Sequence, residues 1–136
     1  MAYFLAKSEP SVYSIDQLRQ DRKTTWDGVT NPQAVKTIAS MKRGDRVLIY
    51  HSGGESAIVG AARVESDPRP CPKNPKSWVV DLRFLRRLTP PVPLTEIKAS
   101  HLFDDWALVR QSRLSTMSVP PEFITWLAGR YRWLGK

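Results

Sequence analysis

Residues 46–64 leave few folds open. Arg46-Val47-Leu48-Ile49-Tyr50-His51 and Ala57-Ile58-Val59-Gly60-Ala61-Ala62-Arg63-Val64 are two β-type runs separated by Ser52-Gly53-Gly54-Glu55-Ser56. Apolar runs joined by a short loop containing Gly read as an antiparallel hairpin. A third β run extends from Trp78 to Leu88, where Val80, Leu82 and Phe84 alternate with Asp81, Arg83 and Leu85. That period of two predicts one packed face and one that meets water or a ligand. Tyr3 to Lys7 adds a short strand near the start.

Helices are marked by their caps. Ser14-Ile15-Asp16-Gln17 has the form of a capping box and opens a short helix to about Gln20. Asn31 followed by Pro32 fits N-cap then N1, with Val35, Ile38 and Ala39 spaced for one buried face. Thr95 caps a short helix through Ala99, and Pro120-Pro121-Glu122 starts a last one over Phe123 to Gly129. The proline-rich stretch from Asp67 to Lys76 reads as a surface loop, and Pro90-Pro91-Val92-Pro93 as a stiff exit from the third β run. Strands and helices follow no regular βαβ alternation. The expected fold is therefore α+β, a small, curved, partly closed mixed β-barrel with helices packed around it.

With 136 residues the chain suits one domain over 1–136 with its own hydrophobic core. No stretch approaches the roughly 20 apolar residues of a membrane helix, and the first residues lack a signal-peptide pattern, so no membrane partner is expected. The single cysteine, Cys71, allows neither an internal disulfide nor a cysteine-based metal site, which suits a reducing, cytoplasmic setting. Neither a metal nor a cofactor is expected. The charge balance is more directive: 21 Lys and Arg against 13 Asp and Glu give a net charge of +8. Seven of the basic residues fall between Arg63 and Arg87, against Glu65, Asp67 and Asp81. An excess of this kind favours polyanions, nucleic acid first among them, although charge alone specifies no base.

Catalytic patterns are weak. His51 and His101 are far apart in sequence and have no metal-ligand spacing. His51 and Ser52 are adjacent on a strand end and point to opposite faces, which does not suit a nucleophile and its base. Gly53-Gly54 lacks the Lys-Ser/Thr of a phosphate loop. Lys7-Ser8-Glu9 groups a base, a hydroxyl and an acid where the first strand ends, and reads equally as a surface ion pair at a turn. The segment Trp26-Asp27-Gly28-Val29-Thr30-Asn31-Pro32-Gln33-Ala34 offers more. It sets a large aromatic face beside a Gly turn and a helix start, a corner able to hold a flat ligand or to close over a core.

Read in order, Lys7-Ser8-Glu9-Pro10, Trp26-Asp27-Gly28-Val29 with Asn31 and Ala34, Gly44-Asp45 with Val47, Tyr50-His51-Ser52, Ile58-Val59-Gly60, Trp78 with Val80-Asp81 and Arg83-Phe84, Arg110-Gln111-Ser112-Arg113-Leu114-Ser115, and Pro121-Glu122 resemble an EVE domain. That family is PUA-like and related to YTH domains. The resemblance implies a curved β-barrel with a pocket at one side, and a module suspected to read modified bases in DNA or RNA. It makes Trp26 the first cage wall and Trp78 the candidate second wall. Ser8 and Asn31 become candidates for hydrogen bonds to a base edge, with Asp27 and Lys7 beside them. Arg83, Arg110 and Arg113 are the candidate phosphate contacts. Pro32 stands where an aromatic residue often follows Asn31 in such sequences, which implies either a narrower cage or one completed by Trp106 or another ring. Two other readings stay open. One is a hydrolase of modified nucleosides or RNA of the PUA-like ASCH type, using Lys7, Glu9 and Tyr50. The other is a small-ligand or protein-interaction module docking through Arg130-Tyr131-Arg132-Trp133-Leu134.

Overall fold

The computed structural model describes residues 1–134. In chain order the elements are β1 (Tyr3–Ser8), α1 (Ile15–Asp21), β2 (Lys23–Trp26), α2 (Pro32–Ala39), β3 (Arg46–His51), β4 (Ala57–Val64), β5 (Arg69–Cys71), β6 (Asn74–Pro93), α3 (Leu94–Ser100), α4 (Ala107–Arg110), β7 (Thr116–Ser118) and α5 (Pro121–Ala128). One mixed sheet runs β2-β6-β4-β3-β1-β7, with β5 paired to β6. The expected curved sheet with surrounding helices is what the chain builds.

The hairpin of residues 46–64 sits at the sheet's centre, β3 against β4 from Arg46↔Arg63 to His51↔Ala57. β1 joins β3 in parallel, with Tyr3 opposite Arg46 and Ser8 opposite His51. Parallel neighbours need a crossover, and here α1, β2 and α2 supply it. β6 is the longest strand. Its first half pairs with β5 and β2, its second with β4, and register shifts beside Gly60 and between Ala61 and Ala62 bend the pair. Bulges increase local twist, so β6 can leave one neighbour and take up the next as the sheet coils.

Two sequence expectations are corrected along this strand. The stretch from Asp67 to Lys76 contains β5 and a turn, because Pro70 lies on an edge strand, where a missing N–H removes no ladder bond. Residues 90–93 continue β6, because Val92 is buried and pairs with Ile58.

Two helices start at the caps the sequence marks, whereas Thr95 is no cap: α3 already begins at Leu94, with Pro93 at its N-cap and no side-chain cap hydrogen bond. Ser14 Oγ accepts the Gln17 N–H at 3.0 Å, and Ile15 and Leu18 bury one face of α1. Asn31 Oδ1 accepts the N–H groups of Gln33 and Ala34 at 2.9 and 3.1 Å, and Ala34 and Ile38 bury one face of α2. Phe123 and Leu127 do the same for α5, where Phe123 packs within 4.6–5.5 Å of the rings of Phe103, Trp106 and Trp126. Close approach decides one position. A Cβ on Gly60 would sit 2.4 Å from Ile15 Cδ1, so only glycine lets α1 lie this near β4.

His51 completes the seat of α1. Its ring is buried and Nε2 accepts the Ile15 N–H at 3.0 Å, so the proton of the neutral ring sits on Nδ1, 3.6 Å from Glu55.

Candidate functional site

Two strand ends and a turn meet beside Trp26. β1 ends at Lys7 and Ser8, β2 ends at Trp26, and the Asp27-Gly28 turn, with Gly28 at φ +79°, carries the chain away. Together with Val12, Tyr13 and Ser115 they line a cavity of about 320 Å³, a size typical of small-ligand sites. Trp26 is 9% exposed and forms the floor; Val12, 78% exposed, is rim.

The second aromatic wall is Tyr13. Its ring stands edge-on to Trp26, centroids 6.3 Å apart at 84°, an arrangement that matches the positive edge of one ring to the negative face of the other. Tyr13 is well fixed. Its N–H bonds the Glu9 carbonyl at 2.9 Å, its carbonyl accepts from Ser8 Oγ at 2.6 Å, and its hydroxyl donates to Asp21 Oδ2 at 2.9 Å. Burial raises its pKa; the hydrogen bond with Thr24 opposes that rise, and Asp21 adds to it.

The polar lining has opposite signs. Lys7 Nζ donates to the Ser112 carbonyl at 3.0 Å and lies 5.5 Å from the centre of the Tyr50 ring. Its two remaining N–H bonds have no partner among the described residues, and partial burial lowers its pKa from the usual lysine value. Asp27 is exposed, lines the cavity, and has no hydrogen-bond or ion-pair partner among the described residues. The cavity thus presents a donor and an acceptor beside an aromatic floor.

Behind β2, Thr25 Oγ1 donates to Asp81 Oδ1 at 2.8 Å, and Arg69 Nη2 reaches the same oxygen at 3.1 Å. Burial pushes the Asp81 pKa up, but these two partners, together with the charge of Lys23, outweigh it and hold the carboxyl below its ordinary value.

Of the residues expected from sequence, Lys7, Ser8, Trp26 and Asp27 come together. Asn31 does not line the cavity; its side-chain oxygen is spent on the α2 cap. Trp78 lies two residues along β6 from Val80, the partner of Trp26, and packs half-buried against the core instead of lining the cavity. Trp106 is buried with Phe103 and Phe123 and donates Nε1–H to the Ser118 carbonyl at 2.9 Å. Arg83 pairs with Glu65 at 3.1 Å, and Arg110 with Asp105 at 2.8 Å. Arg113 is exposed, next to the Ser112 carbonyl that holds Lys7. Glu9 and Tyr50 do not line the cavity; the carboxylate that shares it with Lys7 is Asp27, which makes no ion pair with Lys7. Sequence reasoning missed Tyr13. Its signal was position: an aromatic residue immediately before the Ser14 cap, where helix entry fixes the chain direction.

A family model described as the EVE domain matches residues 2–129. Thymocyte nuclear protein 1 of Homo sapiens is 32% identical, over 74% of this chain and 57% of that protein, and the Gallus gallus protein 33%, over 74% and 53%. The chain spans about half the length of the curated relatives it matches. Among solved structures, a Rhodopseudomonas palustris protein is 36% identical with a TM-score of 0.89, covering 100% of this chain and 97% of that one. The human THYN1 protein in complex with DNA containing 5-methylcytosine is 26% identical with a TM-score of 0.85, covering 96% and 97%. A Zymomonas mobilis ASCH protein, at 12% identity and a TM-score of 0.57, shares the fold.

Proposed function

We infer that this chain, which belongs to the EVE domain family, binds nucleic acid and reads a modified base in the Trp26–Tyr13 cavity, with 5-methylcytosine in DNA as the leading candidate. The observation that carries this is the aromatic floor and wall flanked by one donor and one acceptor, Lys7 and Asp27, neither of them saturated. Cytosine offers an amino donor beside ring-nitrogen and carbonyl acceptors, and acidic side chains accept from that amino group. Thymine turns a carbonyl toward the same acceptor and is disfavoured. A C5 methyl group adds apolar area that an aromatic cavity buries. The DNA-bound human relative supports cytosine over adenine.

The base reaches the cavity by leaving its stack. Stacking on an aromatic side chain contributes about 1–3 kcal/mol per base, which ranks bases, while contacts to the phosphates from a chain of net charge +8 supply the remaining affinity. Binding without turnover is supported by what the polar groups already do: Lys7 Nζ is held on the Ser112 carbonyl beside the Tyr50 ring, and the Ser8 hydroxyl donates to the Tyr13 carbonyl, not to a base.

The test is binding of wild type, Trp26→Ala and Asp27→Ala to short DNA and RNA strands carrying 5-methylcytosine, 5-hydroxymethylcytosine, N6-methyladenine or no modification. Wild type is expected to prefer 5-methylcytosine by about tenfold, ~1.4 kcal/mol, with the preference lost in folded Trp26→Ala and cytosine selectivity reduced in Asp27→Ala. Equal affinity for all strands in wild type, or an unchanged preference in Trp26→Ala, would overturn the reading.

A further inference from the structure

A second concave surface lies at the opposite end of β1. Two adjoining hollows share Leu85, Arg86 and Trp133; one is bounded by Arg19 and Tyr131, the other by Tyr3 and Arg46. The Arg86 guanidinium lies 5.1 Å over the Trp133 ring. Tyr131 braces that ring edge-on, with centroids 6.3 Å apart, and is itself anchored by its hydroxyl on the Pro90 carbonyl. A guanidinium stacked on an aromatic face keeps its N–H edge free for planar acceptors. Among the described residues no carboxylate takes the N–H groups of Arg86 or Arg19. Arg87 differs, being held by Asp16 at 2.6 Å. The surface therefore offers a guanidinium preoriented by stacking, Arg86, and a second without a carboxylate partner among the described residues, Arg19, around an exposed apolar spot, Leu85.

We propose that this arginine and tryptophan groove holds the phosphodiester backbone of the same strand whose modified base occupies the Trp26 cavity. The proposal rests on the base-reading function inferred above. Guanidinium forks match phosphate oxygens, and the spacing suits a polymer. Tyr3 borders the groove, Lys7 and Ser8 border the cavity, and the strand that joins them covers roughly 17 Å at about 3.3 Å per residue. That distance is about five stacked steps at the roughly 3.4 Å axial rise of a helical strand, and fewer for an extended one, so one strand has the reach to engage both places and a free mononucleotide does not.

The experiment compares wild type with Arg19→Gln/Arg86→Gln and with a control of equal charge loss, Lys36→Gln/Lys98→Gln, whose lysines are exposed on α2 and α3. Probes are 5-methylcytosine strands of about a dozen and of about three nucleotides, their unmodified counterparts, and phosphatidylserine vesicles. The groove variant is expected to bind the long strands at least about tenfold more weakly, with the modified-to-plain ratio unchanged. Its salt slope should be shallower by about 1.4, two lost contacts at about 0.7 each for single strands. The three-nucleotide strands should not distinguish it from wild type.

A loss no larger than the control's, an equal loss with the short strands, or a loss confined to vesicles would overturn the proposal. Should the double variant not fold, Arg19→Gln alone gives the same readout with half the change in slope. Absence of any base preference in wild type, alongside a shallower slope in the groove variant, would sink the base-reading function and keep the groove as a plain backbone site.

Discussion

Replacing Gly60 by alanine should destabilise the protein by about 1–3 kcal/mol, the usual range for overpacking a well-filled core. The new methyl group would meet Ile15 Cδ1 at 2.4 Å and Cγ1 at 2.7 Å, with the Arg86 carbonyl oxygen at 3.1 Å. Ile15 has little room to yield. It is buried, it begins α1, and its N–H is bonded to the His51 ring at 3.0 Å. Ile15→Ala alone should lose about 2–5 kcal/mol through the cavity it leaves. In the double variant Gly60→Ala/Ile15→Ala, the alanine at 60 enters space that Ile15 vacated, so adding Gly60→Ala to that background should change stability by under about 0.5 kcal/mol. The residual is the Arg86 carbonyl contact. Urea unfolding of the four proteins, with slopes compared to verify a common unfolded state, yields the coupling directly. The same loss from Gly60→Ala in both backgrounds would refute the argument that Ile15 is what the glycine accommodates. Because Tyr13 lies two residues before Ile15, the variant should also weaken binding in the cavity.

Asn31→Ala should lower stability by about 1 kcal/mol, the usual loss for an N-cap, and leave base preference intact in strand-binding assays; loss of preference without loss of stability would return Asn31 to the site. Asp81, with its folded-state pKa held down, contributes stability that is present above its unfolded value near 3.9 and is lost as pH falls through the lower folded value. Arg69→Ala should raise the Asp81 midpoint in a carboxyl NMR titration and shrink the stability difference from wild type as the solution is acidified below about pH 4; a midpoint that does not move would show that Arg69 does not act on Asp81.

What could be read from sequence was what local chemistry settles. Ser14 and Asn31-Pro32 announce helix starts because their side chains and fixed φ act on the next three residues. The residues of β3 and β4 announce a hairpin because both strands are apolar and the loop between them is short. β2 gave no such sign: Lys23, Thr24 and Thr25 are polar or charged, and Trp26 alone is buried. That strand exists because Trp26 pairs with Val80, 54 positions away along the chain. β5 hid behind prolines that an edge strand tolerates. In the cavity, Trp26, Lys7, Ser8 and Asp27 carry side chains whose chemistry suggests a site by itself. Tyr13 became a wall through a contact made across α1, and Trp78 was lost to the core because the curvature of β6 decides what a side chain meets.

The cavity also has a place in the order of folding. Lys7 is held by the Ser115 carbonyl through its backbone N–H and by the Ser112 carbonyl through its ammonium group, the latter 105 positions away. β1 itself waits for β7 on one side and β3 on the other. Contacts this distant in sequence form slowly, since the loop they close must be ordered first. During synthesis the hairpin of β3 and β4 can assemble while the strand that borders the cavity still lacks half its neighbours, and the wall at residues 112–115 emerges only after β4, β5 and β6. A nascent chain therefore acquires the centre of its sheet before it acquires its binding site.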